Sequence, residues 1–131
     1  MAFRGLFIGV DRYVSADIDE LTCACRDAVA MEALFSDSLG GTSTLLTDGD
    51  VTRARIEAEF SALRHCDPDD TVVIAFSGHG SETHELVTHD TNIDDLSNTA
   101  IPLDLIQQWF AQVPAKRLNR PGADHSCSDN P

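Results

Sequence analysis

Positive charge is scarce in this sequence. Nine Lys and Arg stand against 22 Asp and Glu, a formal net charge of −13. Such a surface repels phosphate and argues against nucleic acid as a partner. Long-range attraction instead favours basic partners or substrates. Long hydrophobic runs are missing as well. The first run, Gly5 to Val10, is too short for the apolar region of a signal peptide or for a membrane span. Neither a membrane nor an export route is therefore expected, and the cytoplasm is the expected location. Cysteine is sparse, with Cys23, Cys25, Cys66 and Cys127 forming no dense framework. The expectation is thiols in a reducing compartment. A glycine-rich phosphate loop is lacking between Gly5 and Tyr13, which ranks a nucleotide-binding domain low. No internal repeat is visible.

A chain of 131 residues suits one domain with a real core. Its 42% hydrophobic and 24% charged residues are near the globular average, which argues against global disorder. Gly5 to Val10 reads as a strand buried on both faces. Leu21, Ala24, Cys25, Ala28, Val29, Met31 and Leu34 fall at helical spacing, and Gly40-Gly41 supplies a stop. Thr44 to Thr47 reads as a short strand and Asp48-Gly49-Asp50 as a turn. Thr52 is placed to cap a helix whose buried stripe is Ile56, Phe60 and Leu63. Thr71 to Phe76, β-branched and uncharged, is the strongest strand.

Beyond it, Glu85 to Thr88 reads as a weak strand and Asp90 to Thr99 as a polar loop. Pro102 opens a helix carrying Leu105, Ile106, Trp109, Phe110 and Val113, and the Trp-Phe pair reads as core. Strands alternating with helices predict an α/β fold with a mostly parallel sheet. Residues 118–131 read as a polar, flexible tail, so the predicted domain is 1–117. Of the net charge, that body holds −12, from eight basic and 20 acidic residues, and the tail −1.

Chemistry concentrates at Ser77-Gly78-His79-Gly80, which follows the best strand. Ligands of open α/β sheets bind beyond the carboxyl ends of strands. The two glycines permit a sharp turn and close approach of a substrate. They also expose an imidazole whose ordinary pKa suits proton transfer.

Leu6-Phe7-Ile8-Gly9-Val10 with Tyr13, Leu21 and Asp27-Ala28, and Asp70 through Gly80 occur in an order that resembles the caspase-like cysteine peptidases. The prokaryotic and metacaspase-type branch is the nearest likeness. Leu86-Val-Thr-His-Asp90 and Pro114-Ala-Lys-Arg117 extend the resemblance over residues 3–117. It implies a caspase-like sheet flanked by helices, and endopeptidase cleavage by a Cys–His dyad. His79 would be the acid/base, and the Gly80 N–H would stabilise the oxyanion. Asp27 would line a pocket favouring Arg or Lys before the cut, so the implied partner is a protein or peptide with basic residues. In bacteria the likeness points to signalling or defence proteolysis. No cofactor is implied, with calcium held by Asp90, Asp94 and Asp95 as the alternative that some metacaspases use.

The chain departs from the pattern after Arg117. Where the family has a hydrophobic strand ending in Asp-x-Cys, residues 118–127 read Leu-Asn-Arg-Pro-Gly-Ala-Asp-His-Ser-Cys. Cys127 lies 48 residues after His79, near the roughly 50 of caspases. Asn119 to Gly122 do not read as a buried central strand, and an incomplete sheet is expected. Three readings stay open: an inactive, truncated half-domain, which is preferred; Cys127 as a displaced nucleophile; or a non-catalytic module that binds or regulates. An unpaired edge beside Val72 to Phe76 predicts a dimer or a complementing chain. Zinc at Cys23, Cys25, His65 and Cys66, or a metal at His79, His84 and His89, ranks below buried thiols and solvated histidines.

Overall fold

The two longest apolar runs lie side by side in a computed structural model, which describes residues 2–80, 84–114 and 116–123. Strand β1 spans Phe3–Gly9, β2 Thr42–Thr47, β3 Thr71–Gly78 and β6 Lys116–Ala123. They form one sheet in the order β2-β1-β3-β6, and every pairing is parallel. Strands inside such a sheet are covered on both faces, which is why β1 and β3 read as unbroken apolar runs rather than alternating ones.

Alternation within those runs still sorts the side chains between two layers. Phe7 and Ala75 pack with Phe35 of helix α1, Ala24–Leu39. Leu6, Ile8, Ile74 and Phe76 pack with Ile56 and Phe60 of α2, Arg53–Leu63, and with Ile106 and Phe110 of α4, Leu103–Ala111. One helix covers one face and two cover the other, as the α/β expectation requires. Gly40 ends α1 in the left-handed conformation, φ 65°, where a Cβ is strained. Thr52 caps α2 by accepting the Arg55 N–H at 3.1 Å.

Two expectations fail at the carboxyl end. The boundary placed after Arg117 falls inside β6, so Leu118–Ala123 belongs to the sheet and not to a tail. The edge of β3 beside Val72 to Phe76 is occupied by β6 itself, with Thr71 opposite Lys116 and Gly78 opposite Ala123. Strand pairing is a backbone interaction, and among the described residues β6 is the last strand on its side of the sheet. At an edge, proline and polar residues are tolerated as they would not be in the centre. Residues 124–131, with Asp124 and Cys127, lie outside the described residues.

The polar loop after residue 90 is more ordered than its composition indicated. Asn92 caps a short 3-10 turn over Ile93–Asp95 by accepting the Asp94 N–H at 3.0 Å. A four-residue helix α3, Leu96–Thr99, follows. Thr91 Oγ1 accepts the Thr88 N–H at 2.8 Å, and Thr99 Oγ1 accepts the Asn92 N–H at 3.0 Å. Strands β4, Glu85–Leu86, and β5, Ile101–Pro102, close the loop as an antiparallel pair.

Candidate active site

Three carboxyl-end loops of the sheet meet around His79. The first is the connection from β1 to α1, and its anchor is Asp11. One Asp11 oxygen accepts the Ala24 N–H at 2.7 Å and the other the Cys25 N–H at 3.2 Å. These are the orphan donors at the start of α1, and Cys23, in the capping position, supplies no cap bond. A negative carboxylate there also opposes the helix dipole favourably. Asp48, after β2, accepts the N–H groups of Asp11 at 2.9 Å and Arg12 at 3.1 Å. Burial opposes its ionisation, but these bonds outweigh burial and hold its carboxyl below the usual range. Gly9 permits this convergence, because a Cβ there would stand 2.5 Å from the Ala24 carbonyl oxygen.

Tyr13 joins this loop to the histidine. Its buried hydroxyl donates to the Val10 carbonyl at 3.2 Å and accepts the His79 N–H at 3.2 Å. Its ring lies 5.4 Å from the imidazole, centroid to centroid. Burial, with the charges of Asp11 and Asp48 behind it, pushes the phenol up to about 12, so it stays protonated. Farther along the same loop, the Asp19 carbonyl lies 2.8 Å from His79 Nε2. A carbonyl only accepts, so Nε2 carries the hydrogen and Nδ1 is the basic nitrogen of the neutral ring. The histidine is thus held at its backbone by a phenol and at its ring by a carbonyl, two partners that local sequence patterns did not reveal. The presence of Tyr13 among the family-like residues was the one available signal.

Gly80 faces Leu86 across an antiparallel bridge made by the Val87 N–H and the His79 carbonyl at 3.1 Å. That bond engages the residue before Gly80 and not the Gly80 N–H. A hollow of about 260 Å³ opens beside His79 and Gly80, between residues 17–19 and the 87–96 segment. Asp27 lies in the first turn of α1 and does not line this hollow.

Cys25 and Cys66 are free thiols, whereas Cys23 is disulfide-bonded, which corrects the expectation of thiols throughout. Cys66 is buried in the main core. Cys25 donates to the Gly9 carbonyl at 3.3 Å, and burial, followed by the Asp11 and Asp48 carboxylates, pushes it up to about 12. Nucleophilic cysteines have the opposite character, so neither free thiol substitutes for the expected nucleophile. Among the described residues, Asp11, Cys25 and Asp48 form the one cluster of ligand-type side chains. Its carboxylate oxygens already accept four backbone N–H bonds. The histidine series is dispersed by function: His79 binds the Asp19 carbonyl, whereas His89 Nδ1 lies 2.6 Å from the Arg12 carbonyl. Asp90 accepts from Thr88 Oγ1 and Asp95 from the Asn98 amide, both internal to their loop. No helix among the described residues is long and apolar enough to cross a membrane.

A solved structure, that of protein GSU0716 from Geobacter sulfurreducens, has a similar fold. The two superpose with a TM-score of 0.74 at 18% identity, over 96% of this chain and 52% of the other. This chain therefore spans about half the length of that structure. No curated protein matches. The Caspase domain model of peptidase family C14 matches residues 4–122, which takes in the histidine loop and most of β1 and β6. The chain belongs to the caspase-domain family of peptidases.

Proposed function

We propose that this chain carries the histidine side of a cysteine endopeptidase site for cleavage of proteins after Arg or Lys, and that the isolated chain has little or no peptidase activity. The observation that carries the first half is the setting of His79. Its Nε2 faces the Asp19 carbonyl at 2.8 Å, which favours the tautomer whose Nδ1 is the nitrogen to exchange a proton with a thiol. In the reaction a cysteine thiolate bonds to the scissile carbonyl carbon, and the carbon–nitrogen bond then breaks. The imidazolium gives its proton to the leaving amine, and water later releases the acyl group from sulfur. The Gly80 N–H is the donor offered to the oxyanion. Asp27 and the acidic body supply attraction for a basic residue before the cut.

The second half rests on the thiols. Cys25 and Cys66 are unsuited to attack, and Cys127 follows an atypical Asn-Arg-Pro-Gly segment. The test is turnover of fluorogenic Arg- and Lys-peptides by the purified chain, with and without calcium. The expected result is no turnover above the His79→Ala background in either condition. Robust cleavage that Cys127→Ala abolishes would overturn the inactive reading and make Cys127 the nucleophile.

A further inference from the structure

The hollow beside His79 has walls of two kinds. Ile18, Val87, Ile93 and Leu96 are apolar, while Asp17 and Asp19, both exposed, contribute to the lining from the loop that holds the imidazole. Its volume of about 260 Å³ falls below the roughly 300–1,000 Å³ of sites that enclose a whole small ligand. It suits one large side chain of a longer molecule. The 93–96 wall is held by the Asn92 and Thr99 bonds described above. Ile93 nevertheless keeps 40% of its surface exposed, unfavourable for an apolar side chain that nothing covers.

A general acid must come within hydrogen-bond reach of the nitrogen that leaves. The residue owning that nitrogen therefore sits against the imidazole, and the same imidazole is one of the groups that line the hollow. Asp27, offered for the residue before the cut, does not line it. We propose that this hollow receives the side chain of the residue immediately after the scissile bond, and that it selects a large apolar side chain there. The assignment rests on the peptidase reading above. Asp17 and Asp19 add charge complementarity, because cleavage leaves that residue with a free, cationic α-amine. Departing peptide and hollow then match in both apolar surface and charge.

The test uses product peptides, so it does not require turnover. Leu-Gly-Gly, Gly-Gly-Gly and Lys-Gly-Gly, each with a free amine, are titrated into the full chain. Binding is followed by calorimetry and by the NMR signals of the His79 ring. Leu-Gly-Gly is expected to bind about tenfold or more tightly than Gly-Gly-Gly, the usual discrimination of an apolar pocket, and to shift the His79 ring signals. Ile93→Ser, at a half-exposed position, is expected to cut that preference to below about threefold. Leu96→Ala serves as a second variant if the first does not fold. Equal binding of all three peptides, tightest binding of Lys-Gly-Gly, or a preference unchanged in both variants would overturn the assignment. Cleavage with no preference for the residue after the cut would refute the hollow's role and leave the peptidase reading standing. An intact leucine preference, in a chain that no thiol source renders active, would refute the peptidase reading and leave the hollow's apolar selectivity.

Discussion

Tyr13→Phe removes one oxygen atom and, with it, two bonds that tie the histidine loop to the end of β1. The His79 N–H loses its acceptor and the Val10 carbonyl its donor, both at 3.2 Å. The ring, 5.4 Å from the imidazole, keeps its packing. A typical intramolecular hydrogen bond contributes about 0.5–1.5 kcal/mol net; the N–H···O bond is at the long end of its usual range and the O–H···O bond just beyond its own. Together they make the variant about 1.5 kcal/mol less stable, a fall in Tm of roughly 4–7 °C for a domain of this size.

The pH dependence gives an independent check. Burial pushes the Tyr13 hydroxyl up to about 12 in the fold, against roughly 10 in an unfolded chain. The fold therefore favours the protonated phenol. Its contribution is whole below pH ~10 and is lost as the pH rises from there towards the folded value. Cys25 is also raised, to about 12, and weakens the fold in alkali, but both proteins share that loss and it largely cancels in their difference. Urea unfolding at pH 7.5 and again above pH 10 measures the gap. The gap is expected to narrow at the higher pH. A gap below about 0.5 kcal/mol at pH 7.5, or one that widens in alkali, would refute the role given to the hydroxyl.

Two further outcomes follow from the anchors of the same loops. Asp11→Ala leaves the Ala24 and Cys25 N–H groups without their acceptor, and a lost cap of this kind costs about 1–2 kcal/mol. Asp11→Asn should lose less in the same denaturant titration, and both should alkylate faster at Cys25 because a charge that raises its pKa has gone. Asp70 accepts Arg4 Nε at 3.0 Å, the Asp67 N–H at 3.1 Å and the Ala2 N–H at 2.9 Å, and these bonds hold its carboxyl below the usual range. Its stabilisation is present above the unfolded value near 3.9 and is lost as the pH falls through the folded one. Asp70→Asn should therefore be less stable at pH 7 and lose less on acidification from pH 5 to pH 3, read by circular dichroism.

Local chemistry in the sequence determined the elements whose causes are local. Unbroken apolar runs marked β1 and β3, because interior strands of a parallel sheet need apolar side chains on both faces. Gly40 and Thr52 marked a helix end and a helix start through φ and a short side-chain bond. The histidine was visible for the same reason, as two glycines beside it advertise a turn. Tertiary structure decided what depends on residues far apart in the chain. Asp11 caps a helix that begins 13 residues later, and Tyr13 reaches a histidine 66 residues away; neither bond leaves a periodicity to read. The hollow likewise joins Ile18 to Val87, Ile93 and Leu96, and no window of sequence contains them all. Strand β6 is the clearest case. Its side chains argue against a strand, yet the backbone of β3 offers a row of donors and acceptors that any chain laid beside it can satisfy.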